Sequence, residues 1–208
     1  MQHLFDIVKG ILAGLLISVG GTVYLSCESP VVGSIFFTIG LFVICEFGFN
    51  LFTGKCGYLT ENKPSYLLFL LEVWVGNLIG CLAGGLAVGL ARPELAETAA
   101  RLSEKKLAIP LHHALILAVF CGLLMYIAVH TYKTASNPLG KYLALFLCVP
   151  VFILSGFEHS IADMFYLACG RAFLPEALLF LAVVTVGNVL GGILLPLAGR
   201  LTKRENVK

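Results

Sequence analysis

Glu158, His159 and Asp163 stand in the string GFEHSIADMF, residues 156–165, inside a long apolar run. Ionisable side chains at membrane depth are costly, and they mark ion or proton pathways more often than packing. The imidazole of His159 has a reference pKa of about 6.5, close to working pH, so it can supply a proton on site. Glu158 is read as orienting the ring or, with Gly156, as holding an interrupted helix. Asp163 follows His159 by one helical turn and could share a metal ion with it. Two ligands without a third make no metal site, and no cofactor is expected.

These residues need a membrane to make sense of them. The 208-residue chain is 59% hydrophobic and 12% charged, with a mean hydropathy of +0.94, too apolar for a soluble domain. Stretches free of Asp, Glu, Lys and Arg run over 10–27, 29–45, 73–91, 107–132, 142–157 and 177–199. These are six candidate spans, each near the roughly 20 residues a helix needs to cross a bilayer. The first could pass for a signal peptide, but a second span follows it at once. Continuous rather than alternating apolar runs favour helices over a barrel. A net charge of +2 gives no case for nucleic acid. The seven scattered cysteines contain no CxxC pair and read as small buried hydrophobes.

The chain also repeats itself. VGNLIG at 75–80 matches VGNVLG at 186–191, LFVICEFGFN from Leu41 matches VFILSGFEHS from Val151 (Phe42 paired with Phe152), and GLLISVGGTVY from Gly14 matches GLLMYIAVHTY from Gly122. Each copy holds three spans, and an odd number makes the second copy enter the membrane from the opposite side. The expected fold is an all-α membrane protein of six transmembrane helices in an inverted 3+3 repeat, a single transmembrane channel domain over 1–208 with halves of about 1–100 and 101–208. The second helix, at EFGFNLFTGKCGY (46–58), and the fifth, at the opening motif, are expected to be broken. Irregular backbone at membrane depth is tolerated only inside protein or along a wet cavity.

GFEHSIADMF in span five, with NLFTG in span two and GN in spans three and six, resembles the formate/nitrite transporter family along nearly the whole chain. The resemblance implies an aquaporin-like fold assembled as a homopentamer in the cell (inner or plasma) membrane. One pore per protomer would carry small monovalent anions of weak acids, namely formate, nitrite or hydrosulfide, with protons. Residue by residue, His159 is similar to the family's pore histidine and Thr53 to the loop threonine facing it. Lys106 matches the lysine near the outer vestibule, and Asn188 the pore asparagine of the last span. Phe37, Leu41 and Phe152 resemble the apolar constrictions on either side of the histidine. Gly122 departs from the pattern, standing where many members carry a second pore asparagine. The connection from Gly170 to Pro175 is unusually short.

Each site residue has a plainer alternative. Lys106 beside Lys105 could be a snorkelling anchor. Phe37, Leu41 and Phe152 could be packed or lipid-facing. His112 and His113 read as interface residues, and Glu72 and Asn77 as ties between helices. A water or small-solute facilitator would share the inverted repeat but should show two Asn-Pro-Ala loops, whereas the chain has only SNP at 136–138. A membrane hydrolase would need a nucleophile with its base or a three-ligand metal set, and neither is visible. With both termini cytoplasmic, nine Lys and Arg fall inside (Lys9, Lys55, Lys63, Lys133, Lys141, Arg200, Lys203, Arg204, Lys208). Five fall outside (Arg92, Arg101, Lys105, Lys106, Arg171), which supports that orientation.

Overall fold

A computed structural model describes residues 1–205. Of the basic tail, Lys208 and the side chains of Lys203 and Arg204 lie outside the described residues. The helices are α1 (Gln2–Ser26), α2 (Pro30–Phe47), α3 (Phe52–Lys55), α4 (Tyr66–Ala91), α5 (Pro93–Leu107), α6 (Leu111–Thr134), α7 (Pro138–Leu154), α8 (Ser160–Cys169) and α9 (Pro175–Glu205). A 3₁₀ segment, Cys56–Glu61, follows α3. Among the described residues five helices (α1, α2, α4, α6 and α9) are long and apolar enough to cross a membrane, while α7 and α8 are shorter apolar helices. Two spans begin earlier than the charge-free runs suggested. Asp6 and Lys9 lie within α1, and Glu72 lies within α4.

The halves correspond as α1/α6, α2/α7, α3/α8 and α4/α9. α1 packs along α4 through Gly10, Gly14, Gly76 and Gly80. α6 packs along α9 the same way, through Gly122, Gly187 and Gly191. Small residues let such helices approach to backbone contact, where dispersion rather than the hydrophobic effect holds them. Leu67, Leu71, Leu178 and Leu179 remain exposed on the outer surface.

Both broken spans are built by one device. Ser29 and Asn137 cap α2 and α7 with their side chains, each followed by a proline at the first helical position. The helices end at Gly48 and Gly156, whose φ values of 67° and 66° lie in the left-handed region that glycine enters without a Cβ clash. The next amides, of Phe49 and Phe157, donate back to Ile44 O (3.0 Å) and Phe152 O (2.9 Å). Two further residues, the second of them extended (Leu51 and His159), precede α3 and α8. The breaks are 108 residues apart, so Phe152 corresponds to Ile44, two places from the Phe42 that the sequence comparison paired with it. α5 is an addition the span pattern did not predict, an amphipathic helix that carries Lys106 in its last turn.

Candidate functional site

Each break lines a cavity. The larger, about 270 Å³, is bounded by the second break together with Tyr24, Phe152, Asp163 and the end of α5. The smaller, about 80 Å³, is bounded by the first break with Leu41, Ile44, Lys55, Tyr132 and Lys133. Eight residues of one cavity have a counterpart 108 positions away in the other, among them Phe152 and Ile44, His159 and Leu51, and Asp163 and Lys55. The cavities are thus related by the repeat, but their chemistry is not.

His159 is the N-cap of α8, and its Nδ1 accepts the Ala162 N–H at 3.0 Å. An acceptor at Nδ1 puts the proton of a neutral imidazole on Nε2. Nε2 lies 2.9 Å from Thr53 Oγ1, in the first turn of α3, and donates to it. The hydroxyl proton of Thr53 has no other partner among the described residues and stays available as a donor. Both side chains are buried. The ring stacks on Phe152 at a centroid distance of 5.3 Å. Phe37 meets the edge of Phe152 at 6.1 Å but lines neither cavity, so it packs behind the aromatic that does. Leu41 lines the smaller cavity.

Lys106 Nζ hydrogen-bonds Glu158 Oε2 and lies 2.9 Å from Asp163 Oδ1. Burial alone would lower the lysine pKa, yet the acidic side chains of Asp163 and Glu158 beside it hold it above its ordinary value, so the ammonium stays charged. Asp163 therefore belongs to Lys106 and not to a metal shared with His159, whose Nδ1 is taken by the cap. The described residues contain no group of three or more metal-ligating side chains. Charge balance was the overlooked sequence signal, since a lysine brought to a buried site requires a carboxylate.

Asn188 differs from its expected place. Its amide donates to Ala118 O (2.9 Å) and Glu158 O (2.8 Å), and its carbonyl accepts Ser160 N–H (2.9 Å). It braces the second break from behind and lines neither cavity. Asn77, read as a tie between helices, does the same for the first break through Gly10 O, Asn50 O and Phe52 N–H. Gly122 likewise faces a helix crossing. A Cβ there would run into the Asn188 carbonyl, as one at Gly14 would run into Asn77 O, so an asparagine at 122 requires α9 to move away. The short connection after α8 turns through Arg171, at φ 55°.

The formate/nitrite transporter family model matches residues 4–200. An uncharacterized transporter of Bacillus subtilis, YwcJ, is 27% identical over 91% of this chain and 85% of its own length. The formate channel FocA of Escherichia coli K12 is 26% identical over 89% of this chain and 81% of its own. Among solved structures, a pentameric formate channel with formate bound superposes with a TM-score of 0.78 at 23% identity, covering 100% of this chain and 98% of that one. An ion channel of the same family gives 0.85 at 23% identity, with coverage of 96% and 90%. The fold is thus the aquaporin-like one of these channels, and the relatives' names are those of channels and transporters. The paired breaks, the glycine crossings and a match across nearly the whole length make this multi-pass membrane protein a member of the formate/nitrite transporter family.

Proposed function

We propose that the chain is a transmembrane channel for small monovalent anions of weak acids, formate above all, with nitrite and hydrosulfide in the same class, and that protons accompany them. One observation carries this reading: the buried Thr53–His159 hydrogen bond joins the two half-helices, His159 lining the larger cavity and Gly54, next to Thr53, the smaller. A bare anion loses hydration worth many kcal/mol in such a place, whereas the neutral acid does not. His159 assists proton-linked passage by donating to Thr53, which turns the threonine hydroxyl proton toward the cargo. Protonating Nδ1 instead would break the α8 cap, so the neutral ring is the working form. Phe152, backed by Phe37, and Leu41 form the apolar restriction on either side. Asn188, Glu158 and Gly156 keep the break in shape.

Residues 1–208 act as one channel domain with halves near 1–100 and 101–208. Five such chains associate, each with its own pore, in the cell membrane with both termini cytoplasmic. The relatives' formate-channel names and the pentameric assembly of a structural neighbour support this. The test is uptake of formate, nitrite, hydrosulfide and lactate into proteoliposomes, with and without a pH gradient. Formate flux that rises when the uptake side is acid is expected. Water or glycerol permeation without any anion-linked flux would overturn the reading in favour of a neutral-solute facilitator.

A further inference from the structure

Two carboxylates and one ammonium meet at the wall of the larger cavity. The side chains of Glu158 and Asp163 are 2% and 1% exposed, and that of Lys106 is 14% exposed. With every group ionised the cluster carries a surplus negative charge, which is expensive where water is excluded and repels any anion entering the cavity. A single proton on one carboxylate removes both costs. Geometry selects which one. Glu158 accepts the lysine hydrogen bond, whereas neither oxygen of Asp163 has a hydrogen-bond partner, its approach to Lys106 being close but unaligned. Of the other titratable groups facing Asp163, His159 is neutral through its cap, Lys105 is exposed, and Tyr24, Tyr166 and Cys121 bring no charge.

We propose that Asp163 is held as a neutral carboxylic acid and lends its proton to the anion arriving in the Lys106 cavity. The step rests on the anion-channel reading above. The Asp163 O–H bond breaks, its electron pair stays on the carboxylate, and a new O–H bond forms on formate, which leaves as formic acid. The resulting Asp163 carboxylate lies 2.9 Å from Lys106 but shares that ammonium with Glu158, so the surplus charge is short-lived and draws a proton back. A hydronium ion from the water on the same side then returns the proton to Asp163 and becomes water, so one proton crosses with each anion. Aspartic and formic acid are of similar intrinsic strength, and a formate desolvated in the same cavity meets the same cost of charge as Asp163, which brings the transfer near balance. The repeat supplies the release side. At the position of Asp163 the other half carries Lys55, and Lys55 and Lys133 line a cavity without a carboxylate, where an acid that has given its proton to water is stabilised as an anion.

The experiment compares parent, Asp163→Asn and Asp163→Glu in proteoliposomes holding a pH dye, with radiolabelled formate. Asp163→Asn leaves Glu158 and Lys106 as a balanced pair, so the protein should fold. At a pH of about 7.5 its formate flux and proton co-uptake should drop about tenfold or more, and the deficit should close near pH 5, where bulk water protonates more of the cargo. Asp163→Glu should restore flux. Infrared spectra of the same samples should show a buried protonated carboxyl C=O stretch in the parent that Asp163→Asn lacks. The proposal is overturned if that band is missing from the parent, if it persists in Asp163→Asn and disappears in Glu158→Gln, or if folded Asp163→Asn keeps parental flux at neutral pH. A parent with no formate flux at any pH would defeat the channel reading and the lending step together, whereas parental flux unaltered by Asp163→Asn would defeat the lending step alone.

Discussion

At the first break the half-helix α3 begins behind Leu51, which offers no side-chain cap, and Lys55 stands four residues on. At the second, α8 begins behind His159, which caps it, and Asp163 stands four residues on. Asn50 precedes Leu51 and reaches Asp6 at 3.3 Å, while Glu158 precedes His159 and reaches Lys106. The backbone, the left-handed glycine and the bracing asparagine are common to both. Shape is therefore kept by the residues the halves share, and chemistry resides in those they do not. The inverted repeat keeps one backbone shape at both breaks, and side-chain divergence sets Glu158, Asp163 and Lys106 beside one cavity and Lys55 and Lys133 beside the other.

The largest effect tests the shared part. Asn188→Leu strands the Ser160 N–H and the Glu158 carbonyl, while the Ala118 carbonyl keeps its intrahelical partner. At about 1–3 kcal/mol for each unsatisfied buried group, the loss is a large fraction of a domain's stability. Asn77→Leu should cost as much, because it strands Asn50 O and Phe52 N–H. Thermal melting in detergent, followed by size-exclusion chromatography, checks both. If one variant keeps the parental melting temperature while the other aggregates, the breaks are not braced alike.

A smaller effect tests the divergent part. His159→Phe keeps a ring against Phe152 but removes both nitrogens, so Thr53 loses its donor and α8 its cap. Formate flux should fall by about tenfold, the equivalent of one hydrogen bond's roughly 1.4 kcal/mol. The residual flux should keep the parental pH profile if the exchangeable proton belongs to Asp163. Leu51→Met, at the same place in the other half, should change flux less than about twofold, since that cap makes no hydrogen bond to lose. Equal losses in the two variants would show that the asymmetry is not functional.

The shared architecture was legible in the sequence because it depends on patterns that survive divergence: apolar length, glycine spacing, and a GN motif in each half. The Thr53 and His159 pairing was legible through resemblance, and the two atoms are 2.9 Å apart. Asn188, expected at the pore, braces the second break as Asn77 braces the first, and the GN motif shared by the two halves carries that equivalence. The Lys106–Glu158–Asp163 cluster was not legible because it joins residues from α5, the break and α8, and no local spacing announces a contact across three elements. Even so, the surplus carboxylate beside a lone lysine follows from simple charge counting.

The smallest effect separates the two cationic sites. Lys55 makes no ion pair with a carboxylate among the described residues, and it lines a cavity with Lys133, whose ammonium sits 4.3 Å from the Tyr58 ring centroid. Its influence on a passing anion is therefore long-range attraction through a partly wet space, which ionic strength weakens as the screening length shrinks from about 10 Å at 0.1 M to about 3 Å at 1 M. Lys55→Gln should lower formate entry from that side by about two- to threefold at low salt, and the difference should vanish near 1 M. Lys106→Gln acts differently, because it leaves the buried Glu158 carboxylate beside Asp163 without its cation. Its cost falls on stability or on the proton count of the cluster, and buried charges are screened little, so salt should not rescue it. Initial uptake rates for both variants, at matched protein content over a salt series, decide the matter. Parallel salt curves for Lys55→Gln and Lys106→Gln would mean that the two halves handle anions by the same electrostatics after all, and that the charge difference between Asp163 and Lys55 has no part in directing the proton.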